Sequence, residues 1–469
     1  MLNKAVLFLS FCFAFAMSFA QTSSISPYSR FGIGELHRIG TEYNYSMGGL
    51  SAPLADRYTV NPENPASYAH TFKTTFQTGI RTQRMELNNG DKSQEIGFSN
   101  LNHVLINMKM ADAPWGFVVG MTPYTSTGYE VSVNRVEELE GNSADIIDSY
   151  AGDGGISKGF IGFGKKFNTI DYRYFKDALG TVTDSIRFEK HAVSLGANVA
   201  YFFGGIEESR RIDFEDVDFL DTRITATTKM HSFGVDLGIH YSGILKQEYN
   251  SKKELLKRWV LQAGVTYTPD MDWTTSYKEL NETVQQFSGV DLPVDTAQII
   301  NGIGFTNIPS RLTGGVSIHH EGESRWKWMV GVDFKTQDWS RSTKIIDGLT
   351  TDLNLAASNQ MSFGLQLSPK DLSEGENLFQ RSSYQLGMRV EDSYLSLRNT
   401  QIRDEAFTAG ISIPLVASKS ASQIHFGMEI GTRGTTDEQL IEENYLNIYV
   451  GVSLSPWYRN IWFRERKYD

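Results

Sequence analysis

The chain has 469 residues, of which 40% are hydrophobic and 12% aromatic, with 42 glycines, 12 prolines and a formal net charge of -11. An average this polar excludes a polytopic helical membrane protein, which needs repeated apolar runs of about 20 residues, and so few prolines argue against a disordered Pro-rich chain. Glycine at about 9%, against a usual share of about 7%, suits a large soluble β-protein or a transmembrane β-barrel, in which alternation dilutes the apolar residues.

Residues 1–20 read as an export signal. Lys4 supplies the positive end, residues 5–19 are apolar apart from Ser10 and Ser18, and Ser18-Phe19-Ala20 offers a small–x–small cleavage site before Gln21. Leu9-Ser10-Phe11-Cys12 has the outline of a lipoprotein box, but Phe11 is bulky and the apolar run continues past the cysteine. Cleavage removes Cys12, the single cysteine, so disulfides and thiol chemistry are excluded from the mature chain. It also removes Lys4, taking the net charge from -11 to -12, which speaks against nucleic acid as a partner.

Residues 21–70 do not alternate and are rich in Gly, Pro, Asn, Ser and Tyr. From Phe72 the period becomes two, as in a strand with one apolar and one polar face. In the clearest case Trp326, Trp328, Val330, Val332 and Phe334 share one face, and Lys327, Met329, Gly331, Asp333 and Lys335 the other. Fourteen strands are expected, at 71–85, 95–110, 115–131, 155–167, 191–204, 224–242, 258–269, 309–320, 326–338, 359–368, 381–391, 405–415, 422–433 and 445–455; the fourth has the weakest pattern. Runs of about ten residues suit a tilted bilayer crossing, and an even count places both ends of the wall on one side. With the first strand running outward, four-residue turns at 111–114 and 322–325 fall on the periplasmic side, where 168–190 and 243–257 are longer loops. The outward side carries the longest segment, 270–308, with a helix-like stretch at 276–287. Trp115, Trp259, Trp326 and Trp457 fall at periplasmic strand ends, the level that amphipathic aromatics favour. A soluble sandwich also alternates; the export signal, strand length, strand count and tryptophan placement together favour the barrel.

The inward rows hold Gly264, Gly331, Gly364, Gly387, Gly427 and Gly451. Two causes fit: close approach of residues 21–70 to the wall, or accommodation of barrel curvature. The same rows carry Lys327, Asp333, Lys335, Arg389, Glu391, Glu429 and Arg433, mixed signs that suggest salt bridges holding a plug more than a wide aqueous pore. Pro123 interrupts the third strand in Gly120-Met121-Thr122-Pro123-Tyr124; proline cannot donate to the ladder, so pairing should break there or the strand should end.

These residues carry a resemblance. Ser26-Pro27-Tyr28-Ser29-Arg30-Phe31-Gly32, Met47-Gly48-Gly49, Asn61-Pro62-Glu63-Asn64-Pro65-Ala66-Ser67, Gly264-Val265-Thr266-Tyr267-Thr268-Pro269, Ile308-Pro309-Ser310-Arg311 and Arg433-Gly434-Thr435-Thr436, with Leu440-Ile441-Glu442-Glu443-Asn444-Tyr445, resemble in order and spacing the FadL/TodX (OMPP1-type) family of outer-membrane transporters for hydrophobic compounds, in a Bacteroidota-type form. The resemblance implies an all-β fold, a 14-stranded antiparallel transmembrane β-barrel with an N-terminal hatch in its lumen: signal peptide 1–20, hatch 21–70, barrel 71–456 and periplasmic tail 457–469. It implies that Asn64-Pro65-Ala66 in the hatch packs against an inward kink of the third strand, near Gly120 and Pro123, where a gap in the wall releases apolar ligand sideways. It makes Pro27, Tyr28 and Phe31 candidates for the ligand path. The implied partners are a hydrophobic small molecule or lipid, of the long-chain fatty acid or aromatic hydrocarbon class, and the outer membrane. Some relatives serve in secretion or assembly complexes, so envelope protein partners, docking through 270–308 or the basic tail Arg464 to Lys467, are the alternative.

No enzyme signature stands out. His319-His320 is the sole adjacent histidine pair, and neighbours on a strand face opposite ways. No HExxH or CxxC occurs, nor a GxxxxGK[ST] loop, so no metal, cofactor or energy coupling is expected and any transport would be passive.

Overall fold

The computed structural model describes residues 24–90, 92–109, 113–139, 142–176, 181–214, 220–250, 255–287, 290–322, 326–369, 377–415 and 422–455. The expected leader with Cys12, the tail 457–469 with Trp457, and parts of the turns 111–114 and 322–325 lie outside these residues.

One antiparallel sheet contains β1 (Glu35–Leu36), β2 (Thr75–Asn88), β3 (Ser93–Met108), β4 (Trp115–Leu139), β5 (Asn142–Lys176), β6 (Val182–Phe214), β7 (Asp221–Tyr249), β8 (Leu255–Thr268), β9 (Met271–Phe287), β10 (Val290–Ile308), β11 (Arg311–Gly322), β12 (Lys327–Asp338), β13 (Thr343–Ile346), β14 (Leu349–Asp352), β15 (Ala357–Ser368), β16 (Ser383–Leu397), β17 (Thr400–Pro414), β18 (Gln423–Arg433) and β19 (Glu442–Leu454). Among the described residues, fourteen of these close into a barrel: β2–β8, β11, β12 and β15–β19. Strand β8 pairs with β11, β12 with β15, and β19 returns to β2 from Leu454↔Phe76 to Glu442↔Asn88. Closure satisfies the backbone groups that an open edge would expose to lipid.

Each of the fourteen coincides with one expected stretch of alternation, because the two faces of the wall meet different solvents. On β12, Met329, Gly331 and Asp333 are buried inside while Phe334 stands exposed outside. The outer surface displays Ile161, Val199, Leu237, Val316, Phe363, Leu386 and Phe407. A band of that size would be an interaction or aggregation surface in water; around a closed barrel it is the belt that lipid covers. No helix among the described residues is long and apolar enough to cross a membrane.

The fourth expected strand, 155–167, lies within β5, the longest of the described strands at 35 residues. Two expectations on the connections need correction. The loops expected at 168–190 and 243–257 are largely continuations of β5–β6 and β7–β8 past the bilayer-length segment. The segment 270–308 is a β-ribbon, with no helix at 276–287. Tyr277, Leu280 and Val284 recur at helical spacing, but β9 pairs on one edge with β10 and on the other with the outer half of β7, Asp221↔Val284 to His231↔Thr274. Two ladders, and the β-branched Thr274, Thr275 and Thr283, override a short helical periodicity. Strand β7 thus hands over from β8 to β9, raising an extra tier of sheet on the outward side.

Residues 24–70 line the interior, and the wall's glycines show how. Gly116, Gly164, Gly196 and Gly238 sit side by side on β4–β7. Gly331, Gly364 and Gly387 align on β12, β15 and β16, Gly410 and Gly427 on β17 and β18, and Gly451 and Gly79 on β19 and β2. The segment passes this collar in chain order. Glu42 lies on Gly79 and Gly451, Ser46 on Gly410 and Gly427, Met47 and Gly48 on Gly387, Leu50 on Gly364 and Gly331, Ala52 on Gly264, Asn64 on Gly238, Pro65 on Gly196 and Gly164, and Tyr68 on Gly116. A β-carbon at these wall positions would press into plug atoms, so close approach is reason enough for the glycines. Because it meets wall strands in sequence from β19/β2 round to β4, the segment follows the inner circumference as a plug.

Candidate functional site

The wall is weakest between β3 and β4. These strands pair only from Met108↔Phe117 to Val104↔Met121. Beyond that point β3 continues on β2 alone, and β4 continues on β5. At Pro123, which has no N–H to give, the β4–β5 register shifts, leaving Tyr124 as the extra residue. Alternation then fails: Tyr124 to Tyr129 are all buried, as the strand turns into the lumen. The plug receives it there. Leu36 and Glu35 pair with Thr125 and Ser126, the His37 N–H donates to the Tyr124 carbonyl at 2.9 Å, the His37 ring bonds the Ser126 hydroxyl at 2.7 Å, and Ser29 Oγ donates to the Gly128 carbonyl at 3.1 Å.

Behind this seam the lumen is apolar. Tyr124 meets Phe202 edge-on at 5.0 Å and Trp273 at 5.5 Å, with Phe202 and Trp273 at 5.2 Å. Ile156, Phe160, Trp339 and Tyr394 belong to the same buried cluster. Next to it lies a charged layer. Lys158 Nζ bonds Asp236 at 2.6 Å and stands over the rings of Phe160 and Phe202, while Asn198 donates to Asp236 at 3.1 Å and Tyr68 to Asn198 at 3.1 Å. Glu63 of the plug faces Arg311 at 3.4 Å and Lys335 at 3.5 Å. Burial pushes the Glu63 carboxyl up, but Arg311, Lys335 and Lys158 prevail and hold it below the usual carboxylate range.

The expected site residues fall in three places. Asn64, Pro65 and Ala66 open the helical turn Pro65–His70 and contact β5, β6 and β7; the residues that pair with the kink are Glu35 and Leu36. Pro123 is at the kink, and Gly120 lies one step inside it, opposite Leu105 in the last pairs of the seam. Pro27 and Tyr28 form a turn at the outward mouth, where the Tyr28 hydroxyl donates to the Ile441 carbonyl at 2.5 Å, and Phe31 is partly exposed. Sequence reasoning missed β1, Glu63, Lys158, Asp236 and the Tyr124 cluster. For Lys158, Asp236 and the Tyr124 cluster the only signal was a charged or aromatic residue on a wall strand, shared by many others, while β1 and Glu63 lie in the non-alternating plug. His319 bonds Ser317 at 3.1 Å while His320 stacks on Trp328, and among the described residues no group of three or more His, Cys, Asp or Glu could hold a metal ion.

A family model described as BamG matches residues 1–170 and 185–469. Among solved structures, the Ralstonia pickettii toluene transporter TbuX is similar at a TM-score of 0.52 and 12% identity, over 89% of this chain and 99% of that one. A TodX monoaromatic hydrocarbon channel carrying a deltaS2 mutation is similar at 0.50 and 14%, over 90% and 99%. The Pseudomonas putida toluene transporter TodX stands at 0.47 and 13%, over 91% and 100%. At such identities the likeness is one of fold: the barrel is FadL-like. No curated protein matches.

Proposed function

This chain belongs to the BamG family, and we propose that it is an outer-membrane barrel that passes hydrophobic small molecules sideways through its wall, passively and without a catalytic step. The observation that carries this reading is the seam, where β3 and β4 part after Val104↔Met121 and β4 is drawn inward onto the plug. The aromatic cluster at Tyr124, Phe202 and Trp273 puts an apolar surface behind the opening. Sideways release keeps a greasy molecule out of the aqueous periplasm, a saving of about 0.8 kcal/mol per CH₂. The substrate class proposed is the aromatic hydrocarbon or long-chain fatty acid. With the leader and its Cys12 removed the chain has no cysteine, so a bis-methanethiosulfonate, which forms a disulfide with each thiol and loses methanesulfinate, can bridge Leu101→Cys and Pro123→Cys. Uptake of labelled toluene or oleate should stop on cross-linking and return on cleavage of the linker; uptake indifferent to the cross-link rejects the seam as the route.

A second reading, a barrel that docks envelope proteins, draws on the outward tier. Val133, Ile299, Ile303 and Leu349 are exposed there, and β10 pairs on its far side only at Gly304 to Thr306. Affinity purification from detergent-solubilised membranes separates the two. A stoichiometric protein lost on deletion of 271–308, with uptake absent, favours docking.

A further inference from the structure

At the outward mouth, plug and wall enclose a cavity of about 70 Å³. Four guanidinium groups line it: Arg38 of the plug, Arg81 on β2, Arg389 on β16 and Arg433 on β18. Three have carboxylate partners. Arg38 meets Glu429 at 2.5 Å, Arg389 meets Asp404 at 2.9 Å, Glu391 at 2.9 Å and Glu429 at 3.1 Å, and Arg433 meets Glu35 at 3.0 Å and Glu443 at 2.5 Å.

Arg81 differs. It is only 9% exposed, its Nε and Nη2 have no hydrogen-bond partner, and it lies over the ring of Phe98 at 5.4 Å. Glu35, which feels its charge, is bonded to Arg433 and Ser24. Nη1 of Arg38 and Nε of Arg389 are also unpartnered, against two unpartnered acceptors among the lining residues, Gln83 Oε1 and Asn447 Oδ1. Guanidinium groups keep their charge inside proteins, and a buried charge without a partner is strongly destabilising. The free valences are therefore mostly donors, and one is a guanidinium edge of the kind that matches a carboxylate with two parallel hydrogen bonds.

We propose that this cavity binds a small monocarboxylate, its oxygens taken by Arg81 from the wall and Arg38 from the plug. A cavity of about 70 Å³ with Arg81 and Arg38 on its lining accommodates a carboxylate with one or two carbons. The cavity borders the plug strand that holds the seam, since Glu35 and Leu36 line it as well, but the proposed contacts are those of Arg81 and Arg38. A bound carboxylate ties the outward end of the plug to β2. It meets donors there, because the surrounding carboxylates are already paired.

The test is thermal unfolding of the detergent-folded protein titrated at constant ionic strength with sodium acetate, sodium bromide or neutral acetamide. Acetate should raise the midpoint saturably, bromide should act at least tenfold more weakly and acetamide should have no effect. Arg81→Gln should weaken the acetate response at least tenfold. No saturable acetate shift, an equal shift in Arg81→Gln, or bromide as effective as acetate overturns the proposal. If Arg81→Gln does not fold, a crystal structure of the wild-type protein in acetate decides. Acetate within hydrogen-bond distance of Arg81 sustains the site, and its absence there rejects it.

Discussion

Asn64→Ala tests whether the plug is fastened to the wall through that side chain. Asn64 is fully buried. Its Oδ1 accepts from the Ala66 N–H at 3.1 Å and caps the turn Pro65–His70; its Nδ2 donates to the Ala52 carbonyl at 2.7 Å and the Ile239 carbonyl at 3.3 Å. Losing a cap costs about 1 kcal/mol, and stranding the Ala52 carbonyl in a buried site costs about 1–3 kcal/mol. Ile239 lies within the β6–β7–β8 ladders, so its carbonyl loses little. The expected loss is about 2–4 kcal/mol, a large part of the usual 5–15 kcal/mol, roughly, of a folded protein. Asn64→Asp keeps the cap but turns an acceptor toward two carbonyls, so it should be at least as damaging. Urea unfolding in lipid micelles, read as the midpoint at constant slope, measures both. A loss under about 0.5 kcal/mol for alanine, within the noise of ordinary surface changes, or an aspartate milder than alanine, refutes the argument.

The collar supplies an internal comparison. Gly387→Ala drives a β-carbon into the backbone of Met47 and Gly48 and should cost about 1–3 kcal/mol, whereas Gly314→Ala meets nothing nearer than 4.0 Å and should be neutral in the same unfolding assay. Acidity should loosen the outward end of the plug. Burial works to raise the Glu35 carboxyl, but Arg433 and Arg81 outweigh it and bring it to about 2; burial, then Arg81, depresses His37 to about 3, against the pull of Glu35. Both folded values lie below the ordinary ones of 4.5 and 6.5, so stability is complete above pH 6.5 and declines as His37, and below pH 4.5 Glu35, takes up protons more readily in the released segment. Limited proteolysis of residues 24–40 should accelerate from pH 6.5 toward pH 3; protection that is flat over this range, or lost on raising the pH, contradicts it.

Period two made the wall legible, because lipid outside and plug inside impose opposite demands on adjacent residues. Pro123 marked the kink, since a missing N–H is a local fact. The inward glycines were visible as a row, but only the fold pairs Gly387 with Met47 or Gly196 with Pro65. The ribbon 271–308 was not legible: the helical spacing of Tyr277, Leu280 and Val284 is local, while the β7 and β10 edges that decide its state lie far along the chain. The same applies to Arg81 and Glu63. Their meaning depends on which neighbours already have partners, and composition carries no record of that.

The plug decides whether the lumen is dry, and so how each inward charge behaves. With the plug in place, Glu63→Ala leaves Arg311 and Lys335 facing each other in a sealed interior, a loss on the scale of about 3–5 kcal/mol for a broken buried pair. Deleting residues 24–70 removes Glu63 as well, yet it also admits water, which hydrates Arg311, Lys335, Arg389 and Glu429 together. The wall's own ladder does not run through the plug, since β19 closes on β2 directly. Strand β4 would lose Glu35, Leu36 and His37, the residues that hold it inward, and would be free to zip onto β3 beyond Met121. The truncated protein should therefore retain the heat-modifiable gel mobility of a folded barrel and conduct ions in a planar bilayer, while Glu63→Ala stays closed and unfolds at lower urea. A truncated protein that fails to fold, or folds without conducting, would show that the plug is part of the wall's framework and that the seam has no closed alternative.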